Sequence, residues 1–179
     1  MIRLCNKSKL LLVFATLFAS PMTAHAQFVQ NSSAPTTISA DNAEYQGTTT
    51  ILTGAVDVRQ GDVRIIADKM TVFSTTSGGL SENNFSRIVA EGNFYYLTSE
   101  QELRGERGVY TKVDDTFEVS GDVILKQADG NVVTGETLYY NLGTQHARVV
   151  GTCKGRKCGS KGRVNILIKN TGSVTGGNS

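Results

Sequence analysis

Phe117-Glu118-Val119-Ser120-Gly121-Asp122-Val123-Ile124-Leu125-Lys126 alternates apolar and polar residues through nearly its whole length. Phe117, Val119, Val123 and Leu125 fall on one side of an extended chain. Glu118, Ser120, Asp122 and Lys126 fall on the other, with Ile124 the one exception. A period of two marks a strand with one buried and one wet face, the pattern of an antiparallel sheet. Upstream, Val56 and Val58 alternate with Asp57 and Arg59, and Val63 and Ile65 bracket Arg64. After the N-terminal leader no stretch keeps apolar residues at helical spacing for long. Gln60-Gly61, Ser77-Gly78-Gly79, Asp114-Asp115 and Asp129-Gly130 read as turns, and Asp-Gly suits a two-residue hairpin turn. The expected class is all-β, with many short antiparallel strands.

A weak repeat runs through these strands. A small-acidic pair followed, after three residues, by an aromatic or aliphatic one occurs at Ala40-Asp41, Ala67-Asp68, Gly105-Glu106 and Gly135-Glu136. Between these pairs, Gly54, Gly92, Gly121 and Gly151 read as turns that each open a second strand, at intervals of 38, 29 and 30 residues. The longer first interval holds the polar stretch Ser74 to Ser86, read as an inserted loop. Such a period implies stacked units that bury one continuous core against their neighbours. The residues expected to face that interior are Val56, Val58, Ile65, Met70, Val72, Ile88, Phe94, Tyr96, Phe117, Val119, Val123, Leu125, Leu138 and Tyr140.

The ends set the compartment. Arg3, Lys7 and Lys9 precede the apolar run Leu10 to Phe18, and Ala24-His25-Ala26 offers a small-x-small cleavage site. Residues 1–26 therefore read as a signal peptide, with the mature start near Gln27 and export to the periplasm expected. Residues 27–35 read as a flexible lead-in, 36–169 as one β domain, and 170–179 as a disordered tail. Removing the leader takes away three of 18 basic residues and none of the 16 acidic ones, so the mature chain is slightly acidic. Its charge is polarised: residues 27–136 hold eight basic and 16 acidic side chains, and residues 137–179 hold seven basic and none acidic. That asymmetry suggests an anionic partner or a basic tail.

Catalytic chemistry has little to stand on. His146, read as lying in a turn beside Gln145, is the mature chain's one histidine, no Gly-x-Ser-x-Gly elbow is present, and phosphate-cradling glycine loops are missing. Asp114-Asp115 sits between strands and reads as a turn. No catalytic residue, cofactor or nucleic-acid partner is expected. Cys153 and Cys158 are too few for a structural metal site, and Lys154, Arg156 and Lys157 would repel a cation. An exported compartment favours a local disulfide, while the adjacent positive charge leaves a redox-active pair open.

Three segments together resemble one family. Ile51-Leu52-Thr53-Gly54-Ala55-Val56-Asp57-Val58-Arg59-Gln60-Gly61 followed by Ile65-Ile66-Ala67-Asp68-Lys69 is similar to the signature of the OstA-like family of periplasmic lipopolysaccharide-transport proteins. Val119 to Gln127 with Gly135 to Tyr139 resembles its second half, and Lys161 to Ile168 its closing basic-then-aliphatic strand. The resemblance implies an open folded roll (a β-jellyroll or β-taco) whose apolar interior takes the acyl chains of lipopolysaccharide. It also implies end-to-end self-association through sheet edges, and inner-membrane and outer-membrane transport components of similar fold as partners. Cys153, Cys158 and the short glycine-rich tail depart from the pattern. Alternation alone does not say whether the apolar face lines a groove or a filled core; a β-rich structural or adhesive envelope protein is the reading the second case would give. For a groove, a charge at Val119 is expected to spare folding while reducing lipid capture.

Overall fold

Extended segments with one apolar face pair with their sequence neighbours throughout the computed structural model, which describes residues 34–77, 80, 84–144, 146–153, 155–158 and 162–169. The expected signal peptide, the lead-in up to residue 33 and the tail from 170 lie outside the described residues, as do Gly78 and Gly79 of the expected turn. The strands are β1 (Thr36–Ser39), β2 (Asn42–Gln46), β3 (Thr49–Gln60), β4 (Val63–Ser74) and β5 (Phe85–Leu97). They continue with β6 (Gln101–Thr111), β7 (Thr116–Gln127), β8 (Val132–Asn141), β9 (His146–Val150) and β10 (Asn165–Leu167). All belong to one antiparallel sheet in which β3 to β8 follow chain order. β1 and β2 lie along the two halves of β3, and β9 and β10 along the two halves of β8. The sheet is open, the all-β folded roll the sequence leads one to expect.

The glycines act differently from the sequence reading. Gly54, Gly92 and Gly121 do not open new strands; they lie inside β3, β5 and β7. At each, the register slips, so that two residues of the odd-numbered strand face one of the next strand: between Thr53 and Val56, Glu91 and Phe94, and Ser120 and Val123. Each slip is a β-bulge built from two successive left-handed residues, Gly54-Ala55, Gly92-Asn93 and Gly121-Asp122, with φ of 79° and 43°, 76° and 44°, and 83° and 45°. The bulges bend each long strand in its middle. Because they fall side by side across the sheet, the bends align into one crease that divides the sheet into two arms.

The acidic pairs belong to the same device. A β-carbon on Gly54 would collide with the Asp41 carboxylate, one on Gly92 with that of Asp68, and one on Gly121 would lie 2.6 Å from Glu106 Cγ. Asn93 Nδ2 also donates to Asp68 Oδ2 at 2.9 Å. The two halves of the sequence repeat are thus the two sides of one contact. Gly151 differs, standing against the backbone of Gly162 and Arg163 instead of an acidic side chain. That backbone belongs to the connection from β9 to β10, which crosses from one arm to the other. Here Cys153 and Cys158 are joined as a disulfide, their Cα atoms 6.0 Å apart, and the Cys153 N–H donates to the Gly162 carbonyl at 2.8 Å.

Local turn chemistry differs from expectation in two places. The Asp129-Gly130 hairpin has a three-residue loop, closed by the Gln127 N–H donating to the Asn131 carbonyl at 2.9 Å, with Gly130 alone at positive φ. A type I turn followed by a left-handed residue is the ordinary solution for that length. His146 opens β9 opposite Asn141 and does not sit in the turn.

On the outer face of β3 and β4, Asp57 meets Arg64 at 2.8 Å and Arg59 at 2.9 Å. Hydrogen bonds first from Arg64 and then from Arg59 hold the Asp57 carboxyl well below the usual carboxylate range. Arg59 and Arg64 are direct cross-strand neighbours, so the shared carboxylate offsets a repulsion that would otherwise weaken this pair of strands.

Gly92→Ala should destabilise the protein by about 2 kcal/mol or more, since a left-handed residue with a β-carbon costs roughly 1–2 kcal/mol before the clash with Asp68 is added. Adding Asp68→Ser should recover only the clash. Urea unfolding of the two variants checks this, and a Gly92→Ala protein as stable as the parent would refute the bend mechanism.

Candidate functional site

Direct cross-strand partners project to the same face of a sheet, so the register assigns the interior side chains row by row. In one arm a row runs Ile38, Val58, Ile65, Tyr96, Leu103, Leu125, Val133, Ile166, unbroken from β1 to β10. In the other arm one row runs Ala43, Leu52, Met70, Ala90, Gly108, Val119, Leu138, Val149. A second runs Tyr45, Thr50, Val72, Ile88, Tyr110, Phe117, Tyr140, Ala147. At the crease, large residues of odd strands oppose small residues of even strands: Val56 faces Ala67, Phe94 faces Gly105, and Val123 faces Gly135. No residue in these rows is charged.

The arms fold onto each other along this crease. The Phe94 ring, from one arm of β5, lies 5.9 Å from the Phe117 ring of the other arm of β7, and Tyr96 meets Phe117 at the same distance. Gly108 leaves room for Phe94, whose ring would sit 2.6 Å from a β-carbon there. Gly105 makes room in the same way for Val119 Cγ1, and Gly135 for Val149 Cγ1, at 2.7 and 2.5 Å. The missing side chains are what let the facing arm approach.

All fourteen residues expected to face inward lie in these rows, within one apolar cluster. Sequence reading missed Leu52, Ala67, Ala90 and Leu103, which are buried in the same cluster. Leu103 carries the alternation signal, lying two residues before Gly105; Leu52 follows Ile51, and two adjacent apolar residues hide which one points in. Burial divides these inner residues into two sets. Val56, Phe94, Leu103, Val119, Val123 and Leu138 are at most 1 % exposed, whereas Val58, Ile65, Ile88 and Leu125 are half-buried. The first set forms a packed floor and the second a rim. Val119 therefore belongs to the floor, and the expectation that a charge there spares folding is corrected: its side chain is fully buried against the crease at Gly105.

The rows also end uncovered. Tyr45 is 63 % exposed at one edge of the sheet and Ile166 66 % at the other, although both lie on inner rows. Among the described residues, no three His, Cys, Asp or Glu side chains converge as metal ligands would, and no helix is long and apolar enough to cross a membrane.

Residues 37–146 match the family described as LptA/(LptD N-terminal domain) LPS transport protein. The chain belongs to this family. It is thus a lipopolysaccharide-transport protein of the LptA/LptD N-terminal type, a family of transport proteins and not of known enzymes. The fold resembles the crystal structure of LptH from Pseudomonas aeruginosa, described as the LptA-homologous periplasmic component of a conserved lipopolysaccharide transport device. That similarity has a TM-score of 0.58 at 20 % identity and covers 76 % of this chain and 96 % of LptH. No curated protein matches the chain significantly.

Floor and rim should respond differently to charge. Val119→Asp places an unpaired carboxylate in a dry site and should destabilise the fold by about 3 kcal/mol or more. At the rim, Leu125→Asp should cost roughly 1–2 kcal/mol, because its carboxylate keeps contact with water. Thermal unfolding of both variants tests this division, and equal losses would contradict it.

Proposed function

We propose that the interior between the two arms carries the acyl chains of lipopolysaccharide, and that the protein works in the periplasm as one segment of a bridge from inner to outer membrane. The observation that carries this reading is the continuity of the apolar rows, which run from β1 and β2 to β9 and β10 without a charged residue. Hydrocarbon needs no directed bonds, only a dry lining, and each buried methylene contributes about 0.8 kcal/mol. Chains would enter at the rim, where Val58, Ile65, Ile88 and Leu125 are half-buried, and the arms would part over the packed floor. Family membership and the periplasmic setting of the similar LptH support this reading. It also gives the N-terminal residues 1–26 their role as an export signal, with 36–169 as the lipid-binding domain.

Bridging follows from the edges. β1 and β2 at one side, and β9 and β10 at the other, are the outermost strands among the described residues and carry uncovered inner-row side chains. Such edges recruit further strands. The two edges differ, so successive copies would join head to tail in an open series instead of closing as a dimer. Partner components of similar fold could cap the series at either membrane by the same contact.

Three measurements test the proposal. Leu125→Asp and Ile65→Asp, in protein that remains folded, should reduce capture of lipopolysaccharide by about tenfold, because a carboxylate at the rim must be desolvated as the chains enter. Photo-crosslinking from Ile88 reads the same event directly, and unchanged capture in both variants would exclude the rim as the entrance. Self-association should fall with Ile166→Asp or Tyr45→Asp, which charge the two uncovered ends. Deleting the C-terminal strand is less informative, since it would bare Val132 to Thr134 of β8 as a fresh edge. Sedimentation at rising concentration should show monomer for both variants, and undiminished growth of oligomers would rule out these edges as the joint.

A further inference from the structure

Gln101 is the one buried side chain whose polar atoms are left without a partner: it is 6 % exposed, and neither Oε1 nor Nε2 has a hydrogen-bond partner among the described residues. Its backbone, by contrast, is fully engaged. The Gln101 N–H donates to Thr98 Oγ1 at 3.1 Å, and its carbonyl accepts from the Thr98 N–H at 2.9 Å. The strand therefore fixes where the side chain points. Gln101 precedes Leu103 by two residues and is the direct partner of Gln127, which in turn follows Leu125 by two. Both glutamines thus lie on the inner face, one step outward from the row of Ile65, Tyr96, Leu103 and Leu125.

An unpaired buried carboxamide is destabilising, and an aliphatic side chain of the same length would occupy this place without that penalty. A carboxamide presents both donors and an acceptor. Hydrocarbon satisfies neither; a carboxylate or phosphate satisfies only the N–H groups and leaves Oε1 unpaired. A hydroxyl can accept from Nε2 and donate to Oε1 at once, and a secondary amide, whose N–H and C=O point opposite ways, can meet either of them. We infer that Gln101 is a binding residue at the rim of the interior, which hydrogen-bonds a hydroxyl or secondary amide carried near the polar end of an acyl chain. Its position suits that role, since hydrocarbon directed toward the crease leaves the polar end of the chain beside the rim. The inference rests on the acyl-carrying reading proposed above and adds to it a means of distinguishing functionalised from plain chains.

The test uses the mature protein, its Gln101→Leu variant and its Gln101→Met variant, the last keeping the length of the side chain should leucine pack badly. Binding is read by displacement of a fluorescent fatty-acyl dye with two matched pairs: 3-hydroxytetradecanoate against tetradecanoate, and N-methyltetradecanamide against methyl tetradecanoate. The first pair isolates the hydroxyl and the second the amide N–H. The parent protein should prefer the functionalised member of at least one pair by about fivefold, the scale of one neutral hydrogen bond. Both variants should lose that preference, bind the plain chain at least as well, and melt at the same or a higher temperature without ligand. Equal affinity within both pairs for the parent protein would overturn the assignment of Gln101 and leave acyl binding standing. A preference that survives in both variants, or a melting temperature lowered in both, would likewise overturn it. Failure of every chain to displace the dye would overturn the acyl-carrying reading and this inference together.

Discussion

Along the outside of the crease, an acidic side chain of one strand lies across a glycine of the next, at Asp41 and Gly54, Asp68 and Gly92, and Glu106 and Gly121. Each glycine begins a pair of left-handed residues, and each pair slips the register by one. A sheet with only its natural twist would present one flat apolar face to water. The aligned bulges fold that face inward on itself, so the same residues that pattern the strands can bury each other. The non-glycine members, Ala55, Asn93 and Asp122, adopt a backbone disfavoured for them, by about 1–2 kcal/mol each. Such strain persists only where the surrounding structure fixes it, and here it sets the division into two arms on which the interior depends.

Closing the arms requires that side chains from opposite halves interleave. The crease achieves this by pairing bulk on one half with its absence on the other: Phe94 over Gly108, Val119 over Gly105, and Val149 over Gly135. The result is a floor of fully buried side chains beside a rim where apolar side chains remain half-buried. A structural envelope protein with a filled core and a carrier of hydrocarbon would share the floor. They differ at the rim and at the ends, where a self-sufficient core would cover Tyr45 and Ile166 and this one does not. Family membership among lipopolysaccharide-transport proteins gives that uncovered surface a reason.

The two ends are built differently. At one, β1 and β2 are a single strand path interrupted at Ala40-Asp41, the first acidic site of the crease. At the other, β9 and β10 are separated by a connection closed by the Cys153–Cys158 disulfide. No acidic side chain covers Gly151; its own connecting loop does so, through Gly162 and Arg163. The basic charge of the chain gathers in this last region, and the acidic charge along the strands before it.

Much of this was legible in the residues themselves. Alternation with period two names the inward side chains, and all fourteen so read lie in the interior rows, because facing in a strand is a local property of the pleat. The repeat was visible too, as acidic pairs and glycines at similar intervals. That each pair meets a glycine was not, because the partners lie 13 to 24 residues apart along the chain and touch only once the register is set. The same limit hid the depth of Val119, which reads like Leu125 in sequence and is fully buried where Leu125 is only half-buried. It also hid Gln101, an ordinary polar residue at the start of a strand until the fold removes it from water. Local chemistry determined which way each side chain points; the tertiary fold decided what each one meets there, because burial depends on the position of segments remote along the chain.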